Sequence, residues 1–274
     1  MKRILYTMSF CSIAVIGAAC MDATVEDTDT NIWEQEATET YSYDGTIYDF
    51  LDQEDNEFDV TFHSMLTLLN YDDDSFHHFS ELKSRLSDVS EESTLLAIPD
   101  ACFDAAFKSV NIYRERNNLT TEGALTLEKL FIPRFVQREN PESTEKNPLP
   151  PITVTFDYKE DLDSILCRYV LPGICDTHIL EAAGGDSTIN TIRYNYRMRL
   201  SYKRMPASGF VGAGVKDLTY YDINNTLQMD KWDMSKVKWM DIHTLNGVIH
   251  IMNPGHEFSF EEFTHRFKNY GYEK

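Results

Sequence analysis

Arg193, Arg197, Arg199 and Lys203 are separated by even numbers of residues, so on an extended chain all four fall on one face. Guanidinium groups grip carboxylate and sulfate through paired N–H donors, which makes these the residues best suited to recognition chemistry. Around them Ile192, Tyr194, Tyr196, Met198, Leu200 and Tyr202 alternate with Arg193, Asn195, Arg197, Arg199, Ser201 and Lys203. That period predicts one long strand with an apolar-aromatic face and a basic face. Such a stripe either recognises an acidic glycan or protein surface, or pairs with acids on a neighbouring strand.

Other chemistry-bearing clusters point to structure. Asp72-Asp73-Asp74-Ser75-Phe76-His77-His78 lacks the glycine and distal glutamate of a calcium loop, and adjacent histidines point apart, so it reads as a solvated loop. No helical period follows Gly209, Gly212 and Gly214, which excludes a phosphate cradle and leaves a turn. His243, His250 and His256 have no Glu or Cys at ligand spacing, and His250 is expected to be a hydrogen-bonded structural residue. No nucleophile elbow, H-E-x-x-H or convincing carboxylate pair is present, so the expected protein is not an enzyme and carries no metal or cofactor.

The N-terminus carries an address. Lys2 and Arg3 precede an apolar run, Ile4 to Ala19, that is too short to span a bilayer and ends in Gly17, Ala18 and Ala19 before Cys20. This pattern predicts a signal peptide over 1–19 and a bacterial lipoprotein whose Cys20 is acylated. Met21 to Asp44 holds eight acids and no Lys or Arg, a composition that buries too little surface to order itself, so 20–44 reads as lipidated cysteine and flexible linker. The net charge of −20 argues against nucleic acid and against electrostatic attraction to anionic lipid, leaving acyl chains to hold the protein on a membrane. Cys102, Cys167 and Cys175 are an odd set that permits at most one disulfide, and all three are expected as small core residues.

The elements that must position these side chains are legible from Gly45 onward. Thr46-Ile47-Tyr48-Asp49-Phe50-Leu51 opens the domain, and a helix follows in which Phe58, Phe62, Met65, Leu66 and Leu69 fall on one face. Leu95-Leu96-Ala97-Ile98 reads as a buried strand stopped by Pro99, with Asp100 placed to cap a helix bearing Phe103, Phe107 and Val110. Residues 111–151 are polar and end in prolines, as an insertion containing a short helix near Gly123–Phe131. Ile152 to Tyr158 alternates as a half-buried strand, and Leu162, Ile165, Leu166 and Tyr169 line a helix ending at Val170-Leu171-Pro172-Gly173. Asn246-Gly247 between two β-prone runs predicts a tight hairpin turn, and Ser259-Phe260-Glu261-Glu262 is a capping-box pattern before a last short helix.

Four of these pieces, in order, resemble fasciclin-type domains: T-I-x-D-x-L at Thr46, the strand into Ile98-Pro99-Asp100-Ala101-Cys102-Phe103, Val170-Leu171-Pro172-Gly173, and Asn246-Gly247-Val248-Ile249-His250. The resemblance implies an α+β fold, a fasciclin-like β-wedge of two twisted sheets with helices packed at one side. The domain would occupy 45–254, followed by a helical extension over 255–274. Where that family commonly carries a Tyr-His pair, this chain has Arg168 and Tyr169, which detaches it from the receptor-binding role of animal relatives. The expectation is a non-catalytic lipoprotein of the outer membrane, exposed at the cell surface, whose domain binds a glycan or protein in adhesion or matrix contact. The alternative is an accessory subunit of an outer-membrane nutrient-uptake system with a protein partner only.

Overall fold

The computed structural model describes residues 41–73, 76–206, 214–224 and 226–272. Cys20, the signal segment and the linker to residue 40 lie outside the described residues, as do Asp74, Ser75, Gly209 and Gly212. The chain runs β1 (Tyr41–Ser42), α1 (Ile47–Leu51), α2 (His63–Leu69), α3 (His78–Ser87), β2 (Ser93–Ala97), α4 (Asp100–Arg116), α5 (Leu127–Leu130), β3 (Arg134–Arg138) and β4 (Ile152–Phe156). It continues α6 (Lys159–Leu166), β5 (Val170–Pro172), α7 (Thr177–Ala182), β6 (Asp186–Asn190), β7 (Arg197–Arg204), β8 (Lys216–Asp222), β9 (Asp233–Thr244), β10 (Gly247–Met252) and α8 (Glu262–Phe267). Helices and strands are mixed along the chain, an α+β fold.

Strands join in the order β5-β2-β10-β9-β8-β7-β6, with β1 added in parallel to β9. β9 is the hinge of this sheet. Its first residues, Asp233 to Lys236, pair with β8, and the rest, from Val237 to Thr244, pairs with β10. Register shifts in the β9–β10 ladder and a positive φ of 60° at Asp241 accompany the hand-over. At the centre β2 and β10 are parallel and buried at every position, which is why both read as unbroken apolar runs. α1, α2, α3, α4 and α8 pack among themselves, whereas α7 lies against β6 and β7.

Local chemistry departs from expectation where tertiary partners intervene. The tight turn falls on Leu245 and Asn246, and Gly247 already opens β10. Asn246 is buried, and its amide reaches two other segments: Oδ1 accepts from Ile47 N at 2.8 Å, and Nδ2 donates to the Leu86 and Asp88 carbonyls at the end of α3, at 3.0 and 3.1 Å. Thr46 and Asp49 form a reciprocal capping box on α1. Asp100 caps a helix, but not its own: its carboxylate accepts from the backbone N–H groups of His63 (3.1 Å) and Ser64 (2.7 Å) at the start of α2, and from Thr61 Oγ1 at 2.5 Å. Burial pushes the Asp100 carboxyl up, but these hydrogen bonds outweigh it and hold the group below the usual range. Asp100→Ala is therefore expected to cost about 1–2 kcal/mol, read as a lower urea midpoint. An unchanged midpoint would remove the α2 cap from the account.

The C-terminal segment is part of the core and not an appendage. Phe258, Phe260, Phe263 and Phe267 are buried, with Phe258 on Phe103 and Phe263 on Phe107. Ser259 caps nothing; it sits at φ 67° with Oγ buried and unpartnered, and α8 begins later, at Glu262. β1 likewise places Tyr41 and Ser42 inside the fold, four residues ahead of the expected boundary at 45. The strand over Ile152–Phe156 pairs only with β3, as a separate two-stranded hairpin, so its alternation marks a partly covered ribbon and not a core strand.

Candidate functional site

The expected strand over 192–203 is shorter than its alternation suggests. β7 starts at Arg197, and residues 191–196 form the loop from β6, with Tyr194 and Asn195 at positive φ (61° and 51°) and Thr191 N donating to Tyr196 O. Arg193 is thereby removed from the basic stripe. Its guanidinium turns to α3 and α6, donating to Asp163 at 2.8 Å, to Glu81 at 2.9 Å and to the His78 carbonyl at 2.8 Å. Asp163 is fully buried and also receives Tyr194 Oη at 2.7 Å and His78 Nδ1 at 3.1 Å. This cluster ties the loop to the helices: a buried carboxylate with every neighbour a donor is stable only while all of them stay.

Arg197, Arg199 and Lys203 do share one side of β7, because Met198, Leu200 and Tyr202 are buried on the other. Register then assembles an outer face from four strands. Thr188 of β6, Arg199, Tyr221 of β8 and Met234 of β9 form one row, and Asp186, Ser201, Thr219 and Lys236 form the next. Cross-strand pairing occupies part of the stripe: Arg199 meets Asp186 at 2.6 Å, and Lys203 lies 3.8 Å from Asp217, which also holds Lys236 at 2.6 Å. Arg199 further lies over the Trp232 ring, 5.4 Å from its centroid, and Trp232 packs edge-on against Tyr221 at 6.0 Å. Arg197 is exposed and has no acidic partner among the described residues. The face thus presents one free guanidinium, a second one stacked on an indole, and two aromatic rings.

A cleft of about 280 Å³ opens at one end of this face, lined by Thr219, Met234, Ser235, Lys236, Asn253, Gly255 and His256. Its origin is the hand-over in β9. β10 stops at Met252, Asn253 N makes a last bond to Lys236 O, and the chain turns away with His256 N donating to Asn253 O. The edge of β9 left without β10 becomes one wall, and the turn becomes the other. Lys236 Nζ is already occupied by both Asp217 oxygens and by Thr219 Oγ1 at 2.6–2.7 Å, so the cleft holds no uncompensated charge from it. His256 is 5% exposed and shares a 2.7 Å hydrogen bond between Nε2 and Tyr169 Oη. Ser259 N donates to that same oxygen at 2.7 Å, and among the described residues Nε2 is the one acceptor within reach of the phenol proton, so that proton goes to Nε2 and the ring proton resides on Nδ1. Burial pushes the imidazole down to about 3, which keeps it neutral.

The three histidines do not converge. His250 is fully buried between the Asp241 N–H, which donates to Nδ1, and the Cys175 carbonyl, which accepts from Nε2; burial lowers its affinity for a second proton. His243 lies 4.0 Å from Asp176. Arg168 and Tyr169 are both buried, Arg168 against Asp222 at 2.5 Å and Tyr169 against His256. Cys102, Cys167 and Cys175 are buried free thiols, and burial pushes Cys102 and Cys167 up to about 12, so neither supplies a thiolate nucleophile at neutral pH. In the aspartate-histidine loop, His77 meets Asp72 at 2.8 Å, Asp73 meets Lys159 at 2.8 Å and His78 turns to Asp163, so its side chains disperse among local partners. Among the described residues no three His, Cys, Asp or Glu side chains group as metal ligands, and no helix is long and apolar enough to cross a membrane.

Tyr221, Trp232, Met234, Lys236, Asn253 and His256 were not marked by the sequence as a site. The alternation of Asp217, Thr219 and Tyr221 against Leu218, Tyr220 and Asp222 was available as a signal for the outer face. Nothing local signals the cleft. No protein-family model and no curated protein matches the chain. Among solved structures it is similar to a FAS1 domain pair from the insect cell adhesion molecule fasciclin I, at 12% identity and a TM-score of 0.35. That likeness covers 66% of this chain, which spans 40% of the other, and at this distance it carries no argument about function.

Proposed function

We propose that the chain is a fasciclin-like, non-catalytic binding module that holds an acidic glycan on the outer face of β6, β7, β8 and β9. The family reading rests on the motifs: Thr46 and Asp49 cap α1, Pro99 separates β2 from α4, Val170–Pro172 forms β5, and Asn246-Gly247 joins β9 to β10. In this reading the two ladders that β9 connects are the counterparts of the family's two twisted sheets. In this reading Cys20 bears the acyl chains that attach the module to the outer membrane, with the domain facing outward.

One observation carries the ligand class. Arg197 stands exposed and unpaired on a protein of net charge −20, beside a guanidinium laid on the Trp232 ring. An acidic glycan uses both parts of this face, its acidic groups taking paired guanidinium donors and its rings laying their C–H faces on the aromatic side chains. A protein partner, as in a nutrient-uptake complex, is the second reading. It is favoured by the β3–β4 hairpin and the residues leading into it, where Phe135 is 72% and Ile132 62% exposed.

Calorimetric titration of the lipid-free chain with acidic and neutral polysaccharides tests the first reading. Saturable binding to an acidic polymer, weakened about 100-fold when Arg197 and Arg199 are both changed to Glu, is expected, since charge reversal replaces attraction with repulsion at two positions. Binding that the double variant keeps would move the site off this face. No glycan binding, together with a membrane protein retained only when Phe135 is intact, would transfer the function to the hairpin.

A further inference from the structure

We infer that the cleft between β9 and the 253–256 turn is a subsite for one uncharged sugar ring, adjoining the basic face that holds the acidic part of the glycan. This rests on the glycan reading of the face and goes beyond it by naming a second site and its chemistry.

Polar groups in the cleft are arranged for a neutral, hydroxylated ligand. The Lys236 ammonium is neutralised by Asp217, with which it makes two hydrogen bonds, and its third donor goes to Thr219 Oγ1. The ring proton of His256 lies on Nδ1, which has no acceptor among the described residues and is not one of the buried unpartnered atoms, so it opens to the cleft that His256 lines. A ligand hydroxyl oxygen can take the place of water as its acceptor. Asn253 uses Oδ1 to accept from Gly255 N at 2.9 Å, which leaves its amide N–H₂ as a further donor. Ser235 adds a hydroxyl, and Met234, 64% exposed, offers an apolar wall for the C–H face of a ring.

Size agrees with one ring. The 280 Å³ of the cleft corresponds to the volume of about nine waters at ~30 Å³ each, the space of a single pyranose with its hydroxyls. A carboxylate would find no free cation here, since the cationic neighbour is fully occupied. The cleft and the face share Thr219, Met234 and Lys236, so one chain can lie across the rows and place a neutral unit at their end.

The test uses the full chain in detergent micelles, with ring-labelled histidine and a panel of glucose, galactose and mannose, each beside its uronate and beside acetate. Expected is a saturable shift of the His256 ring signals by one neutral hexose, with a dissociation constant of about 1 mM. The shift survives in the Arg197→Glu, Arg199→Glu variant. Asn253→Asp keeps the acceptor for Gly255 N and removes the amide donors, and it weakens the hexose about tenfold or more. Gly255→Leu fills the cleft; Gly255 has no positive φ, and a Cβ there meets only Asn253 Oδ1 at 3.3 Å, so this variant is expected to fold and to abolish the shift. The inference falls if no hexose shifts His256 up to about 50 mM, if Asn253→Asp and Gly255→Leu leave the shift intact, or if the uronate or acetate binds about tenfold more tightly than every neutral sugar. Acidic polymer titrated in parallel separates the two readings. Polymer bound through Arg197 and Arg199 with no hexose in the cleft removes only the subsite, and hexose bound without any polymer removes only the face.

Discussion

Changing Gly247 to alanine is expected to leave little or no folded protein. Gly247 lies at φ 153°, and a Cβ built on it would sit 1.8 Å from the Ser93 carbonyl oxygen and 2.9 Å from its carbon. Both atoms are backbone in the central strand β2, so neither can swing aside. Relief requires β10 to withdraw from β2 at the Gly247–Ser93 pair, where five paired positions begin. With every residue of both strands buried, that withdrawal opens the middle of the core. We expect a loss of more than about 4 kcal/mol, among the largest effects a single substitution produces. Urea denaturation of whatever soluble protein is obtained measures it. Leu245→Ala, in the same turn at a residue 58% exposed, should stay within about 0.5 kcal/mol of the parent. A Gly247→Ala protein as stable as the parent would mean that the strands are not apposed as described.

Acid is expected to unfold the protein well before its carboxylates as a class are protonated. His256 takes up its proton near pH 6.5 in the unfolded chain but only at about 3 when folded, and burial is the cause. Through that interval the unfolded state binds more protons, so stability rises with pH: the contribution is complete above pH 6.5 and is lost as pH falls. One such group removes about 1.4 kcal/mol per pH unit, or roughly 5 kcal/mol across the whole interval. His250, lowered by its own burial, acts in the same direction. Asp222 and Glu257, both raised by burial, oppose it in part because the folded state protonates them more readily. Against a total stability of about 5–15 kcal/mol, the loss from His256 is a large share. Urea midpoints at pH 7, 6 and 5 should fall in that order, and His256→Gln should flatten the slope. A flat profile in the parent would show that His256 is solvated or already protonated.

Much of the fold was legible because its signals are local. The strand, Pro99 and helix of β2 and α4 follow from an apolar run, a residue without an N–H and a helical period of aromatics, all within a few turns of chain. The features that escaped the sequence depend on pairing across the chain. Asp100 carries the right chemistry for a cap, but which helix receives it is settled by α2 docking beside it. Arg193 keeps the even spacing of a strand residue, yet the 191–196 loop takes it to Asp163 because Tyr194 and Asn195 adopt positive φ. The face needs the register of four strands to bring Arg199 beside Tyr221 and Trp232. The cleft needs Tyr169 to fix the tautomer of a histidine 87 residues away. Types of residue can be read from a sequence, but the neighbours that give those types a role arrive only with the fold.

The short parallel strand β1 has a mechanical consequence. Tyr41 and Ser42 lie beside Ile242 and His243 of β9, and the adjoining residues continue the contact, with Tyr43 N donating to His243 O and Leu245 N donating to Gly45 O. A pull on Tyr41 along the strand axis strains these bonds together, in shear, and delivers the tension into the one strand that belongs to both ladders. The same pull directed across the axis would open them one at a time, like a zip. The domain is therefore stiffer to traction along β1 than to peeling from the side, and direction of drag, as much as its strength, decides whether the sheet stays closed.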